Sequence, residues 1–100
     1  MNINFQYHEV AASQRLEEFL EQRLSKLQAK YDFIINADVY FKKKNASDPE
    51  DRKICSVRLN TSGPVVFAES ATSTFEASIS KVMTELRSQL QKQKDKMKTY

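Results

Sequence analysis

The 100-residue chain has one glycine, one cysteine, one histidine, two prolines and no tryptophan. A single glycine excludes a glycine-rich phosphate-binding loop and a dinucleotide fingerprint. The lone Cys55 has no partner for an internal disulfide, which is typical of a reducing compartment. So little glycine and proline also argues against a flexible or low-complexity chain.

The scarcity of histidine and cysteine bears on catalysis as well. His8 stands beside Glu9 and has no second histidine or cysteine at ligand spacing, so we expect a surface or capping residue and no metal site. Cys55 falls on the inward side of a predicted strand and is expected to pack as a small hydrophobe. The sequence shows no general base near a nucleophile, no set of metal ligands and no phosphate-binding loop, which are the components of a catalytic site. We therefore predict that the chain is not an enzyme and takes no cofactor and no small-molecule substrate.

Long hydrophobic runs are also missing. No apolar segment approaches the roughly 20 residues that span a bilayer, and the stretch 1–4 lacks the regions of a secretory signal. We expect a cytoplasmic protein with no membrane partner. The hydrophobic fraction of 40% and the length predict a single domain over 1–100, with an ordered core over about 2–94 and a basic helix end over about 91–100.

Apolar periodicity predicts four strands and two helices in the order βαβββα. The first helix runs from about Gln14 to about Lys30, with Ser13 as its N-cap. Ser73 and Glu76 form a capping-box pattern that opens the second helix. The strands are predicted at 2–6, 35–42, 55–60 and 65–69, with a polar loop over 45–51.

These elements predict an α+β fold, a four-stranded mixed sheet with both helices packed on one face. The first crossover sets strand one parallel to strand two, and the last three strands form an antiparallel meander. Alternation puts Ile35, Ala37, Val39 and Phe41 toward the helices, and Asn36, Asp38, Arg58 and Asn60 toward solvent. The inward face of strand four stays unassigned. The aromatic residues Tyr7, Tyr31, Tyr40 and Phe67 are expected in the core or at its rim, because no RNA-stacking motif surrounds them.

The formal charge of +3 is modest, but its distribution is not even. Between positions 81 and 98 there are six basic and two acidic residues. On helix one, Arg15, Arg23, Lys26 and Lys30 share one side, and Glu17, Glu18 and Glu21 share the other. On helix two, Arg87, Lys94 and Lys98 fall on one flank of the apolar stripe, and Lys81, Lys92 and Lys96 on the other. Lysines near a helix C-terminus are also favoured by the helix dipole alone. If the basic sides of the helices face each other, however, the groove between them is a positive channel suited to RNA.

Several segments resemble those of one family. They are Arg23–Leu27, Lys30–Tyr31, Ile35–Val39, Phe75–Lys81, and the run from Leu86 through Gln89–Leu90 to Lys92–Lys96. In this order and spacing the chain resembles the short form of the ribosome hibernation promoting factor family, also called the ribosome-associated inhibitor or sigma-54 modulation family. At Glu85, Ser88 and Gln91 the family more often has basic residues, so fewer phosphate contacts are expected there.

The resemblance implies a fold like that of double-stranded-RNA-binding domains, with the ribosome and its small-subunit rRNA as partners. It implies binding in the tRNA and mRNA channel and inhibition of translation in stationary phase or stress. The RNA-contacting residues it implies are Arg23, Lys26, Lys30, Lys81, Arg87, Lys92, Lys94 and Lys96, with Lys42, Lys43 and Lys44 as a weaker set. Two alternatives stay open: a general double-stranded-RNA binder, and a protein-interaction module that dimerises through a sheet edge.

Overall fold

The predicted order βαβββα is confirmed by the structure, a computed structural model that describes residues 1–43 and 52–97. The elements are β1 (Asn2–His8), α1 (Gln14–Lys30), β2 (Ile34–Lys43), β3 (Lys53–Thr61), β4 (Val66–Thr72) and α2 (Phe75–Met97). The predicted loop over 45–51, Lys44 and Lys98 lie outside the described residues.

The four strands form one mixed sheet in the order β1-β2-β3-β4. β1 pairs parallel with β2, and β2–β3 and β3–β4 are antiparallel. The register sets Phe5 opposite Val39 and Val39 opposite Val57, so one face of the sheet is continuously apolar. This arrangement is the predicted one.

Both helices bury their apolar stripes on that face of the sheet. The buried residues of the helices are Leu16, Leu20, Leu24 and Leu27 of α1 and Phe75, Ile79, Val82, Met83, Leu86 and Leu90 of α2. They join Val39, Phe41, Val57 and Leu59 of the sheet in one hydrophobic core. Burial of this apolar surface is the main stabilising contribution, at roughly 1.5–3 kcal/mol for each large side chain.

The two helices lie side by side and run in the same direction. Near their N-termini, Arg15 Nη1 of α1 lies 2.7 Å from Glu76 Oε2 of α2. At the other end, the Tyr31 hydroxyl donates to Gln91 Oε1 at 2.7 Å. These two contacts join the start of α1 to the start of α2 and the end of α1 to the last turns of α2.

The start of α2 differs from the prediction. The Thr74 hydroxyl accepts the backbone N–H of Ala77 at 3.1 Å, and the Thr74 carbonyl accepts the N–H of Ser78 at 3.1 Å. The N-cap is therefore Thr74, and the capping box of Ser73 and Glu76 was wrong. The start of α1 is as predicted, because the Ser13 hydroxyl accepts the N–H of Leu16 at 3.2 Å.

The start of β2 also differs. Ile34 is 3% exposed and belongs to the core, whereas Ile35 is 56% exposed. The register shifts here, since Ile34 pairs with Thr61 and Asn36 pairs with Asn60. One extra residue in β2 makes a bulge, which reverses the alternation on its N-terminal side. The prediction that Ile35 faces the core was wrong for this reason.

The aromatic residues divide between the two faces of the sheet. Tyr31 is buried and Tyr7 packs at the rim of the core, as expected. Tyr40 and Phe67, at 38% and 50% exposed, lie on the open face instead. In β4 the inward residues are Val66 and Ala68, which turns Phe67 toward solvent.

The cap of α2 gives a test by substitution. Thr74→Ala should lower the free energy of unfolding by about 1 kcal/mol, because the N–H of Ala77 loses its acceptor. Ser73→Ala is the matched control and should change it by less than about 0.5 kcal/mol. Urea unfolding followed by circular dichroism measures both. A larger loss for Ser73→Ala would contradict the cap assignment.

Cys55 offers a second test. Its side chain is fully buried, and burial together with the nearby Glu69 carboxylate raises the pKa of the thiol to about 12. Because the thiolate is the reactive form, native protein at pH 8 should react very slowly with a thiol reagent. In denaturing urea one thiol per chain should react quickly. Fast labelling of the native protein would show that Cys55 is not in the core.

Candidate nucleic-acid interface

A groove of about 340 Å³ runs between α1 and α2. Its lining residues are Arg23, Lys26, Leu27 and Lys30 of α1 and Met83 and Arg87 of α2. Leu27 and Met83 are buried at its floor, so the four cationic side chains line its walls. The basic side of α1 therefore faces α2, which is the arrangement that the charge pattern required for a positive channel.

Helical spacing explains how α1 presents one sign of charge to the groove. Arg23, Lys26 and Lys30 follow one another at steps of three and four, so they share one side of the helix. On the other side, Glu17 Oε2 accepts the Tyr7 hydroxyl at 2.6 Å. The described lining residues of the groove include no acid, so its positive charge is not cancelled locally.

An aromatic ring positions Arg23 in the groove. The guanidinium carbon lies 4.2 Å from the centroid of the Phe19 ring, a cation–π contact. The Arg23 Nε is buried and has no hydrogen-bond partner in the described part of the chain. The guanidinium is thus held by a neutral ring, which fixes its place without neutralising its charge.

The end of the groove is organised around Tyr31. Lys30 Nζ and Lys94 Nζ lie 5.4 Å and 5.5 Å from the centroid of its ring. Lys94 Nζ also donates to the backbone carbonyl of Lys30 at 3.4 Å, at the C-terminus of α1, where cations are favoured. Two ammonium groups, one from each helix, therefore lie around the same aromatic ring at this end of the groove.

Three uncharged residues that support this cluster were not predicted as site residues. The Phe19 ring contacts the Arg23 guanidinium, and the Tyr31 ring contacts the ammonium groups of Lys30 and Lys94. Gln91 accepts the hydrogen bond from the Tyr31 hydroxyl. Gln91 also donates to Asp95 Oδ1 at 3.0 Å. The i, i+4 spacing of Phe19 and Arg23 is a signal that sequence inspection could have used, whereas the other contacts depend on tertiary packing.

The structure separates the eight predicted residues into groups. Arg23, Lys26, Lys30, Arg87 and Lys94 surround the groove, and Lys92 lies in a depression at its end together with Lys30 and Arg87. Lys81 is exposed and does not line the groove. Lys96 is exposed in the last turn and does not line the groove.

The weaker set lies elsewhere. Lys42 borders a hollow on the open face of the sheet, and Lys43 is exposed opposite Lys53. Neither lines the groove, and Lys44 is outside the described residues. In residues 1–43 and 52–97, no cluster of histidine, cysteine or acidic residues is arranged to hold a metal ion, and no helix has the length and hydropathy of a membrane span.

A model of the family described as sigma 54 modulation protein / S30EA ribosomal protein matches residues 3–98. The chain belongs to this family. The suspected membership in the hibernation and sigma-54 modulation family is thus confirmed.

Two solved structures share the fold. A ribosomal subunit interface protein from Coxiella burnetii superposes with a TM-score of 0.82 at 25% identity, covering 95% of this chain and 99% of that one. The N-terminal domain of Protein Y from Thermus thermophilus superposes with a TM-score of 0.79 at 17% identity, covering 92% and 98%. No curated protein matches the sequence.

The contact between Phe19 and Arg23 can be measured by a double-mutant cycle. Phe19→Leu and Arg23→Gln should show a coupling energy of about 0.5–1 kcal/mol in thermal or urea unfolding, because each removes one partner of the cation–π contact. A cycle of Phe19→Leu with Lys26→Gln is the control and should be additive. Equal coupling in both cycles would mean that Phe19 does not hold Arg23 specifically.

Proposed function

We propose that this chain binds the small ribosomal subunit through the groove between α1 and α2, and inhibits translation by occupying the channel for tRNA and mRNA when growth stops. The four cations that line the groove, where the described lining residues include no acid, carry the proposal. Membership in the sigma 54 modulation and S30EA family supports it, as does the similarity to a protein described as a ribosomal subunit interface protein.

The cations of the groove are spaced so that several can contact one phosphate backbone. Arg23 and Lys30 are seven residues apart on α1, which is about 10 Å along the helix. Arg87 lines the opposite wall, and Lys94 extends the positive surface past the end of α1. Such contacts fix the position of a protein on RNA by shape and charge and do not read its sequence.

Inhibition then requires no reaction. A protein held over the phosphates excludes tRNA and mRNA from the space it occupies, and its occupancy follows its affinity. If the five cations around the groove each release a counterion, the slope of log affinity against log salt is about −4. Raising salt threefold should therefore weaken binding by about two orders of magnitude.

A pair of charge reversals tests the groove. Lys26→Glu with Arg87→Glu should remove the protein from the ribosomal fractions of a sucrose gradient at 0.1 M salt, because two wall cations become anions. Inhibition in a cell-free translation extract should be lost with it. At lower salt, where binding is measurable, the slope against log salt should fall by about 1.5.

The matched control is Lys43→Glu with Lys81→Glu, two exposed residues outside the groove. Each reversal removes two charge units, so both double variants change the net charge from +3 to −1. The control should keep most of the ribosome binding. Equal losses in both variants would mean that binding depends on net charge or on Lys43 and Lys81 as much as on the groove, and unchanged binding in the groove variant would refute the proposed interface.

Competition distinguishes a ribosome-specific factor from a general duplex binder. Free duplex RNA in excess over ribosomal RNA should leave the protein on the ribosome. If the duplex displaces it completely, the protein binds double-stranded RNA without preference for the ribosome.

A further inference from the structure

The sheet has a second surface, facing away from both helices, that the groove does not use. Tyr40 of β2 and Phe67 of β4 expose their rings there, at 38% and 50%. Arg58 of β3 lies directly opposite Phe67 and next to the pair of Tyr40 and Ser56. An arginine thus lies on the same open face as two exposed rings, directly across from one and diagonal to the other.

These side chains border a hollow of about 410 Å³. Around the rings its lining includes Gln6, Lys42, Ser56 and Glu69. The volume falls in the range of sites for small organic groups such as a nucleobase. The Ser56 hydroxyl donates to Glu69 Oε2 at 2.8 Å, so the polar wall is fixed by a hydrogen bond within the sheet.

Amide side chains continue the surface beside the hollow. The Asn60 amide donates to Asn36 Oδ1 at 2.6 Å, and the parallel register brings Asn2 next to Asn36. Asparagine and glutamine offer a donor and an acceptor together, which is the pattern that base edges match. The rings supply stacking surfaces and the amides supply hydrogen bonds at the same face.

The open face of the sheet and the groove differ in charge, so they are suited to different ligands. Among the described lining residues Arg58 and Lys42 are balanced by Asp38 and Glu69, so these residues give the hollow no excess positive charge. A balanced surface does not attract a duplex backbone as the groove does. Stacking, by contrast, needs no net charge, and one arginine suffices for one phosphate.

We propose that this face binds unpaired nucleotides of single-stranded RNA, with bases stacked on Tyr40 and Phe67 and a linking phosphate on Arg58. Two strand spacings across the sheet and two residues along the strand separate the rings, roughly 12 Å between their Cα atoms. Two or three nucleotides of a single strand cover this distance. The rings stand singly among amides and charged groups, whereas a protein-docking core is more continuously apolar.

The experiment uses an eight-nucleotide oligouridylate, which has no duplex to offer the groove. It is titrated into the Lys26→Glu with Arg87→Glu variant, so that the face is measured without the groove, and binding is followed by NMR shifts of backbone and aromatic groups. Shifts should centre on Tyr40, Arg58 and Phe67. Shifts confined to α1 and α2 would overturn the proposal.

Substitutions in the same background test the rings directly. Tyr40→Ser and Phe67→Ser should each weaken binding by about fivefold or more and leave its salt dependence unchanged, because each removes stacking and no charge. Tyr40→Phe keeps a ring and should bind as before. Val65→Ser is the matched control, since Val65 is an apolar residue exposed to 49% that does not line the hollow. Equal affinity in the ring variants would refute the assignment.

A photocrosslinker in place of Phe67, in protein bound to ribosomes, separates RNA from protein at this face. Crosslinks to RNA support the proposal, and crosslinks only to ribosomal proteins overturn it in favour of protein docking. The inference does not rest on the groove. If the protein sediments with ribosomes but does not bind oligouridylate, the assignment of this face is rejected and the groove is not. If it binds oligouridylate but does not sediment with ribosomes, the groove is rejected and this face is not.

Discussion

The burial of both helices against one face of the sheet is the constraint on which the rest of the structure depends. With their apolar stripes committed to the sheet, α1 and α2 lie side by side and parallel, joined by Arg15–Glu76 at one end and Tyr31–Gln91 at the other. Residues at the edges of the two stripes are then forced to face each other. The positive groove is a consequence of core packing, because its cations lie next to the buried residues Leu27 and Met83.

Concentrating one sign of charge along a groove opposes folding, because the cations repel one another. The protein positions two parts of this cluster with aromatic rings. Phe19 lies under the Arg23 guanidinium, and Tyr31 lies within reach of the ammonium groups of Lys30 and Lys94. An acid would have held these side chains equally well but would have cancelled their field. Holding cations with neutral rings keeps the whole charge for an anionic partner, and each contact is worth only about 0.5–1 kcal/mol.

The sequence predicted what depends on long periodicity and missed what depends on single residues or on packing. The leucine spacing of α1 and the cap at Ser13 were sufficient for its bounds. The bulge at Ile35 depends on one extra residue, and a strand with or without it fits the same alternation of polar and apolar residues. Likewise, Ser73 and Thr74 both carry a hydroxyl that can cap a helix, so the sequence does not say which of them is the N-cap of α2. Helix geometry gave two basic flanks of α2 but not which one faces α1. On the β4 side, Gln89 and Gln93 of α2 donate to the carbonyls of Phe67 and Pro64, which only the tertiary structure reveals.

Those two glutamine contacts also bear on the hypothesis of a module that dimerises through a sheet edge. β4 is an edge strand, and an edge invites pairing when its carbonyls and N–H groups are free. The Gln89 amide occupies the Phe67 carbonyl of β4 at 2.7 Å, so an incoming strand would have to displace it there, and the Gln93 amide donates at 3.0 Å to the Pro64 carbonyl just before β4. The same contacts tie α2 to the segment that turns Phe67 toward the open face. Addition of a strand at this end of β4 would therefore cost the contact between Gln89 and Phe67, whereas a ligand that approaches the open face of the sheet would leave that contact in place.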